Sequence, residues 1–236
     1  MARRFFYLSF LLFALLNHSV VRSQTVADQT EWTERELGKV IMRADRAARK
    51  KQWSRAIKYG EKTMQGLEVL NKPTDARYIA QLKNLNKYYD KAKQLNNVAA
   101  RVKKAYELSR DNLGIADSIT IASRQIYYKL LTTNKKYIEA IPLVLEGMSI
   151  LGEGVDDQYI MHHYLKRLYS LYGITGQRKK EEEALKELLE LNQELEGDDV
   201  KDNLDIILNL AKNYCIQKKA VEFNQLMTKY NLKYEC

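Results

Sequence analysis

Cysteine, proline, glycine and histidine are all scarce in this chain. Its 236 residues hold two Cys, two Pro, ten Gly and three His. Two cysteines exclude a disulfide-dense mini-fold and a four-cysteine zinc site. So few prolines and glycines argue against a β-sandwich with its many tight turns. Strict alternation of apolar and polar residues is missing, as are Asn-Gly and Asp-Gly hairpin signals. Nucleophilic catalysis needs a base held by an orienting partner, and little here could supply one. His18 falls in the apolar start of the chain. His162-His163 point about 100° apart on a helix, with no carboxylate at the four-residue helical spacing to complete a metal site. No glycine-rich phosphate loop occurs, since Gly152-x-Gly154 is too short a string. These absences point away from an enzyme and from any cofactor.

Segment 1–23 differs from the rest. Arg3 and Arg4 precede an apolar run from Phe5 to Leu16, and Val21 and Ser23 occupy the −3 and −1 places of a cut before Gln24. A positive start, a short apolar core and a small residue at the cut read as a secretory signal peptide. The run is short of the roughly 20 residues that span a bilayer, and a retained N-terminal anchor is the alternative. The expected organisation is a leader at 1–23, a lead-in at 24–39 and one repeat domain at 40–236. The formal charge of +9 falls when the leader goes, because it carries Arg3, Arg4 and Arg22 and no acid. An exported protein of this kind stays in a periplasm-like space or leaves the cell, with no membrane span in its mature part. Cys215 and Cys236 would then meet an oxidising compartment. If the last helix ran straight back for about 15 residues, its end would lie roughly 20 Å away. That is too far for a bridge. Two free thiols, or a bond from Cys236 to another chain, are expected.

From Glu34 onward the apolar spacing is helical. Tyr164, Leu165, Leu168, Tyr169 and Tyr172 follow steps of three and four, as do Ala184, Leu185, Leu188 and Leu189, and Val200, Leu204, Ile207, Leu208, Ala211 and Cys215. Breakers such as Asn71-Lys72-Pro73, Leu113-Gly114, Leu151-Gly152 and Glu196-Gly197 recur about 40 residues apart, with weaker breaks between them. Two helices per unit follow. Trp53, Leu95 and Tyr137 each stand three before Ala56, Val98 and Ala140, and the step from one copy to the next is constant. That step is a period of about 42 residues, within the range of helical repeats. A one-residue shift brings a fourth unit into register at Arg178, Leu185 and Leu188, and a fifth spans 199–231. Pro142 falls early in a second helix, which should begin late or bend there.

Three segments resemble the tetratricopeptide repeat family. Lys136-Tyr137-Ile138-Glu139-Ala140-Ile141 and Trp53-Ser54-Arg55-Ala56-Ile57 look like the aromatic–x–x–Ala entry to a second helix. Leu168-Tyr169-x-x-Tyr172, followed by Gly176, looks like the close of a first helix. The likeness covers about 40–231. The usual unit is about 34 residues. The longer period here is similar to the lengthened repeats of the kinesin light-chain type. Val98 and Glu181 depart from the small residue of the pattern. The resemblance implies an all-α solenoid of four to five stacked helical hairpins, because a hairpin this small cannot bury its apolar face alone.

In that family the first helices line a concave surface. Carried over, the groove positions are Lys83, Lys87 and Lys91, then Gln125 and Lys129, then His163 and Lys166. They imply a basic groove that would steer a partner protein or an acidic peptide. The expected function is an exported, non-enzymatic interaction scaffold. The second reading is a structural or assembly part of an envelope or secretion complex that self-associates. Arg43, Arg46, Arg49, Lys50, Lys51, Arg55 and Lys58 crowd the first hairpin and read most simply as a solvated face. Glu181-Glu182-Glu183 reads as a solvated helix start. No recognised nucleic-acid module is present.

Overall fold

The computed structural model describes residues 32–236, so the expected leader and cut lie outside the described residues. Among the described residues ten α-helices make five hairpins: α1 (Glu34–Arg49) with α2 (Trp53–Leu70), α3 (Ala76–Lys91) with α4 (Ala99–Leu113), α5 (Ser118–Thr133) with α6 (Tyr137–Met148), α7 (Val155–Ile174) with α8 (Arg178–Glu196), and α9 (Val200–Gln217) with α10 (Ala220–Lys229). A 3-10 turn at Leu95–Val98 leads into α4. There is no strand among the described residues, and none of their helices is long and apolar enough to cross a membrane. Helix α1 begins at Glu34, inside the stretch read as lead-in. Thr33, Asp117 and Asp199 cap α1, α5 and α9 with side-chain oxygens that accept backbone N–H groups.

The turn inside each hairpin is one motif repeated five times. Lys51, Lys93, Lys135, Gly176 and Lys218 all have φ between 55° and 73°. At each turn the next residue, beginning with Gln52, donates its N–H to the carbonyl five positions back, beginning with Ala47. This left-handed closure satisfies carbonyls that the helix end leaves free. The turns are evenly spaced except between Lys135 and Gly176, where the step is one position shorter. That is the one-residue shift expected in the fourth unit. A left-handed lysine costs roughly 1 kcal/mol. The cost is outweighed because both flanking helices are buried on each side of the turn.

Packing runs between neighbours along the chain, the arrangement a solenoid requires. Each second helix from α2 to α8 lies between its own partner and the first helix of the next hairpin. The core is accordingly a series of clusters. Leu37, Leu67 and Leu85 centre one; Leu95, Val102 and Leu130 form the next; Ala140, Val144 and Leu168 centre the third; Leu185, Leu188 and Ile207 the last. Gly147 shows how close the helices come. A Cβ there would sit 2.5 Å from the Tyr164 ring. Gly147→Ala should therefore cost about 1–3 kcal/mol, because the ring must leave its rotamer or α6 must retreat. Urea unfolding checks this, and an unchanged midpoint would show that the ring has room to move.

Buried polar locks join the hairpins. Between the second and third, the Tyr106 hydroxyl donates to Glu146 Oε2 at 2.7 Å, and within the third Arg124 (2% exposed) donates from Nη1 to Glu146 Oε1 at 2.9 Å. Between the fourth and fifth, Glu182 accepts from Lys186, Lys219 and Gln217 at 2.6–2.8 Å. Glu181 accepts from Arg178 and Asn213. The acidic run at 181–183 is thus not a solvated start; only Glu183 faces water. Glu181 fits at a small-residue position because Gly173 leaves it space.

Burial alone would push the Glu182 carboxyl up, but the donors from Lys186, Lys219 and Gln217 outweigh it and hold it at about 2. A lowered folded pKa stabilises above the ordinary carboxylate range, and that contribution is lost as pH falls from about 5 toward 2. Both lysines are partly in water, so the discounted worth is about 2 kcal/mol. Glu182→Gln should cost that much at pH 7, and the gap from the parent should narrow at pH 3. Equal gaps at the two pH values in urea melts would remove the carboxylate from this role.

Three expectations change. Helix α6 starts on schedule at Tyr137 and continues past Pro142 to Met148, so it does not begin late. In α9 the buried stripe is Asn203, Ile206, Ile207, Leu210, Ala211 and Tyr214, while Leu204 is exposed. Asn203 can be buried because its amide donates to the carbonyls of Gly197 and Asp199. Cys215 and Cys236 are not free and do not reach another chain. They form a disulfide, with Cα atoms 5.3 Å apart. Helix α10 ends at Lys229, Asn231 turns left-handed at φ 48°, and the Leu232 N–H closes on the Met227 carbonyl. The last residues then return to the end of α9, which a straight helix could not do.

Candidate partner-binding face

Counted from the left-handed turn residues, the seven carried-over positions fall on one side of α3, α5 and α7. Lys83, Gln125 and Lys166 stand ten before their turn. Lys87 and Lys129 stand six before, Lys91 two before and His163 thirteen before. Those offsets repeat at helical spacing.

Lys83 is half-buried, and burial, then the charge of Lys87, disfavours its ammonium form. Lys87 and Lys91 are exposed and enter no ion pair among the described residues. Lys129 is already engaged, donating to Asp90 at 2.7 Å across the second and third hairpins. Gln125 and His163 come together, from α5 and α7, at a cavity of about 300 Å³. Lys166 is exposed beside His162, whose charged form is disfavoured by burial and then by Lys166.

The cavity adds residues that the family positions do not name. Ile160 and Tyr164 form apolar walls, and Arg167 completes the lining. Arg167 lies over two rings, 5.2 Å from the Tyr128 centroid and 5.6 Å from the Tyr164 centroid. Aromatic faces hold a guanidinium without neutralising it. Its fork therefore stays available for a carboxylate, which two parallel N–H groups match. Ile160 and Arg167 lie three before and four after His163, so helical spacing from that residue would have found them. The cavity sets hydrogen-bond donors around a small apolar recess, the arrangement that orients a ligand group.

No protein-family model matches the sequence, and no curated protein matches it. Solved structures match its fold. The chain is similar to a Podosopora anserina protein assigned as a kinesin light chain with nearly identical TPR-like repeats. There the TM-score is 0.56 at 16% identity, over 83% of this chain and 93% of that one. It is also similar to BtubC (BKLC) from P. vanneervenii, with a TM-score of 0.52 at 14% identity, over 85% of this chain and 83% of that one. The fold is that of TPR-like helical repeats, an all-α solenoid.

Proposed function

We propose that this protein is an exported, non-enzymatic scaffold that holds a partner protein by an acidic segment laid along the first helices. One observation supports it above the others: Lys83, Lys87 and Lys91 line one side of α3, and the same side of α7 carries His163 and Arg167 around a recess with apolar walls. Positive side chains beside an apolar recess suit a segment that carries carboxylates and one anchoring apolar residue. The leader-like segment 1–23 and the Cys215–Cys236 bond both accord with export, because disulfides persist in oxidising compartments. The same bond occupies Cys236, so the assembly reading loses the residue through which two chains would have joined.

The test is charge reversal. Partners are first crosslinked and identified in the compartment where the protein resides. Binding of the recovered partner is then measured for the parent and for Lys83→Glu/Lys87→Glu/Lys91→Glu. Loss of binding, with an unchanged melting temperature, supports the reading. Binding that survives the triple reversal and depends instead on α1 or α10 would replace it with end-to-end assembly.

A further inference from the structure

The first hairpin holds a second cavity, also of about 300 Å³, at its turn end. Arg43 and Arg46 come from the last turns of α1, Lys50 and Gln52 from the connection after it, and Arg55 and Tyr59 from the start of α2. As a sequence the cluster reads as solvated surface. The fold leaves these side chains exposed, and it gathers four of the cations, from two helices and the connection between them, around one space. None of the four is in an ion pair among the described residues, although carboxylates satisfy cations at many other places in the solenoid.

No carboxylate lines the cavity. The Gln52 carbonyl oxygen accepts from Arg55 Nη1 at 3.3 Å, which leaves its amide N–H groups as donors. The Tyr59 phenol is held below its usual range, first by Arg55 and also by the charges of Arg43 and Lys58. Positive potential is therefore concentrated at this end of the molecule. Like charges around a shared space repel one another, and an anion in that space removes the repulsion.

We propose that this cleft is an oxyanion site for a small molecule bearing phosphoryl groups and at least two negative charges. A phosphoryl group carries about −1.5 to −2 at neutral pH and three acceptor oxygens pointing in different directions. Guanidinium groups from two helices meet those oxygens as paired donors. A single carboxylate would neutralise one cation and leave three. The volume sits at the small end of ligand pockets, which fits a compact phosphorylated molecule and not a long chain. The site lies on the turn edge of the first hairpin and stands apart from the first-helix face of the middle repeats.

Titration calorimetry at physiological salt tests the proposal, on protein purified from cells expressing the full chain. The probes are pyrophosphate and phenyl phosphate, with citrate as a carboxylate of comparable charge. Saturable binding of either phosphorylated probe at one site per chain is expected, with citrate at least tenfold weaker. A preference for pyrophosphate assigns the site to oligophosphates, and a preference for phenyl phosphate assigns it to phosphate monoesters. Arg43→Gln/Arg55→Gln should weaken binding tenfold or more, as loss of charged hydrogen bonds does. Lys201→Gln/Lys212→Gln, exposed on α9 and outside both cavities, should leave it unchanged. If the first variant melts early, Arg46→Gln alone serves in its place, with a loss of several-fold. Citrate binding as tightly as pyrophosphate, equal losses in the two variants, or no saturable binding would each overturn the site.

Discussion

Glu146→Ala is expected to lower the unfolding free energy by about 3–5 kcal/mol, the cost of leaving a buried charge without its partner. Arg124 is only 2% exposed, and Glu146 is its counter-charge. The alanine would strand the guanidinium within the third hairpin and also remove the acceptor for Tyr106 of the second. The Tyr106 phenol is pushed up to about 12, by burial and then by its bond to Glu146, so the hydroxyl stays a donor at every physiological pH. Arg124→Met together with Glu146→Leu should recover most of the loss, because two apolar side chains of similar volume need no partner. Urea unfolding of Arg124→Met, Glu146→Leu and the double completes the cycle. If Glu146→Ala costs under about 1 kcal/mol, the worth of an exposed pair, water reaches the site and the lock is not a lock.

The second large effect belongs to the Cys215–Cys236 bond. Its cysteines have a sequence separation of 21. Chain entropy predicts about 3 kcal/mol for closing a loop of that size. The last hairpin has the shortest helix and only one neighbour, so it has the least packing to fall back on. Leu226, Met227 and Tyr230 carry its attachment to α8 and α9, and Gln193 donates to the Tyr230 hydroxyl at 3.1 Å. Cys215→Ser/Cys236→Ser should speed amide exchange throughout α10 by about 100-fold, the equivalent of about 3 kcal/mol, and leave α3 to α6 unchanged. A repeat array confines such damage because each unit leans only on its neighbours. Uniform acceleration across the chain, or none in α10, would contradict this.

How much of this is legible in residues alone varies by element. The repeat register is visible because Trp53, Leu95 and Tyr137 recur at constant spacing, at the start of α2, of the 3-10 turn into α4 and of α6. The turns themselves are hidden. They use Lys51, Lys93, Lys135 and Lys218 where glycine is the usual signal. The disulfide escapes a reading that extrapolates the helix past Lys229, because local propensity gives no warning of the turn at Asn231. Glu182 reads as solvated because its partners, Gln217 and Lys219, lie on another hairpin. Ile160, Tyr164 and Arg167 become part of a cavity only when α7 is set beside Gln125 of α5.

Periodicity decides what one segment can know: that it is a helix, which stripe it buries, and that a hairpin too small to hold its own core must stack on another. Those properties depend on residues one helical turn or one repeat apart, so the sequence alone determined the all-α repeat architecture. The tertiary structure decided which charges meet. The four cations at the first cavity, the lock at Glu146 and the path of the chain after α10 depend on where a second hairpin or a turn places its atoms. Electrostatic contacts act within a few ångströms, whatever the separation along the chain.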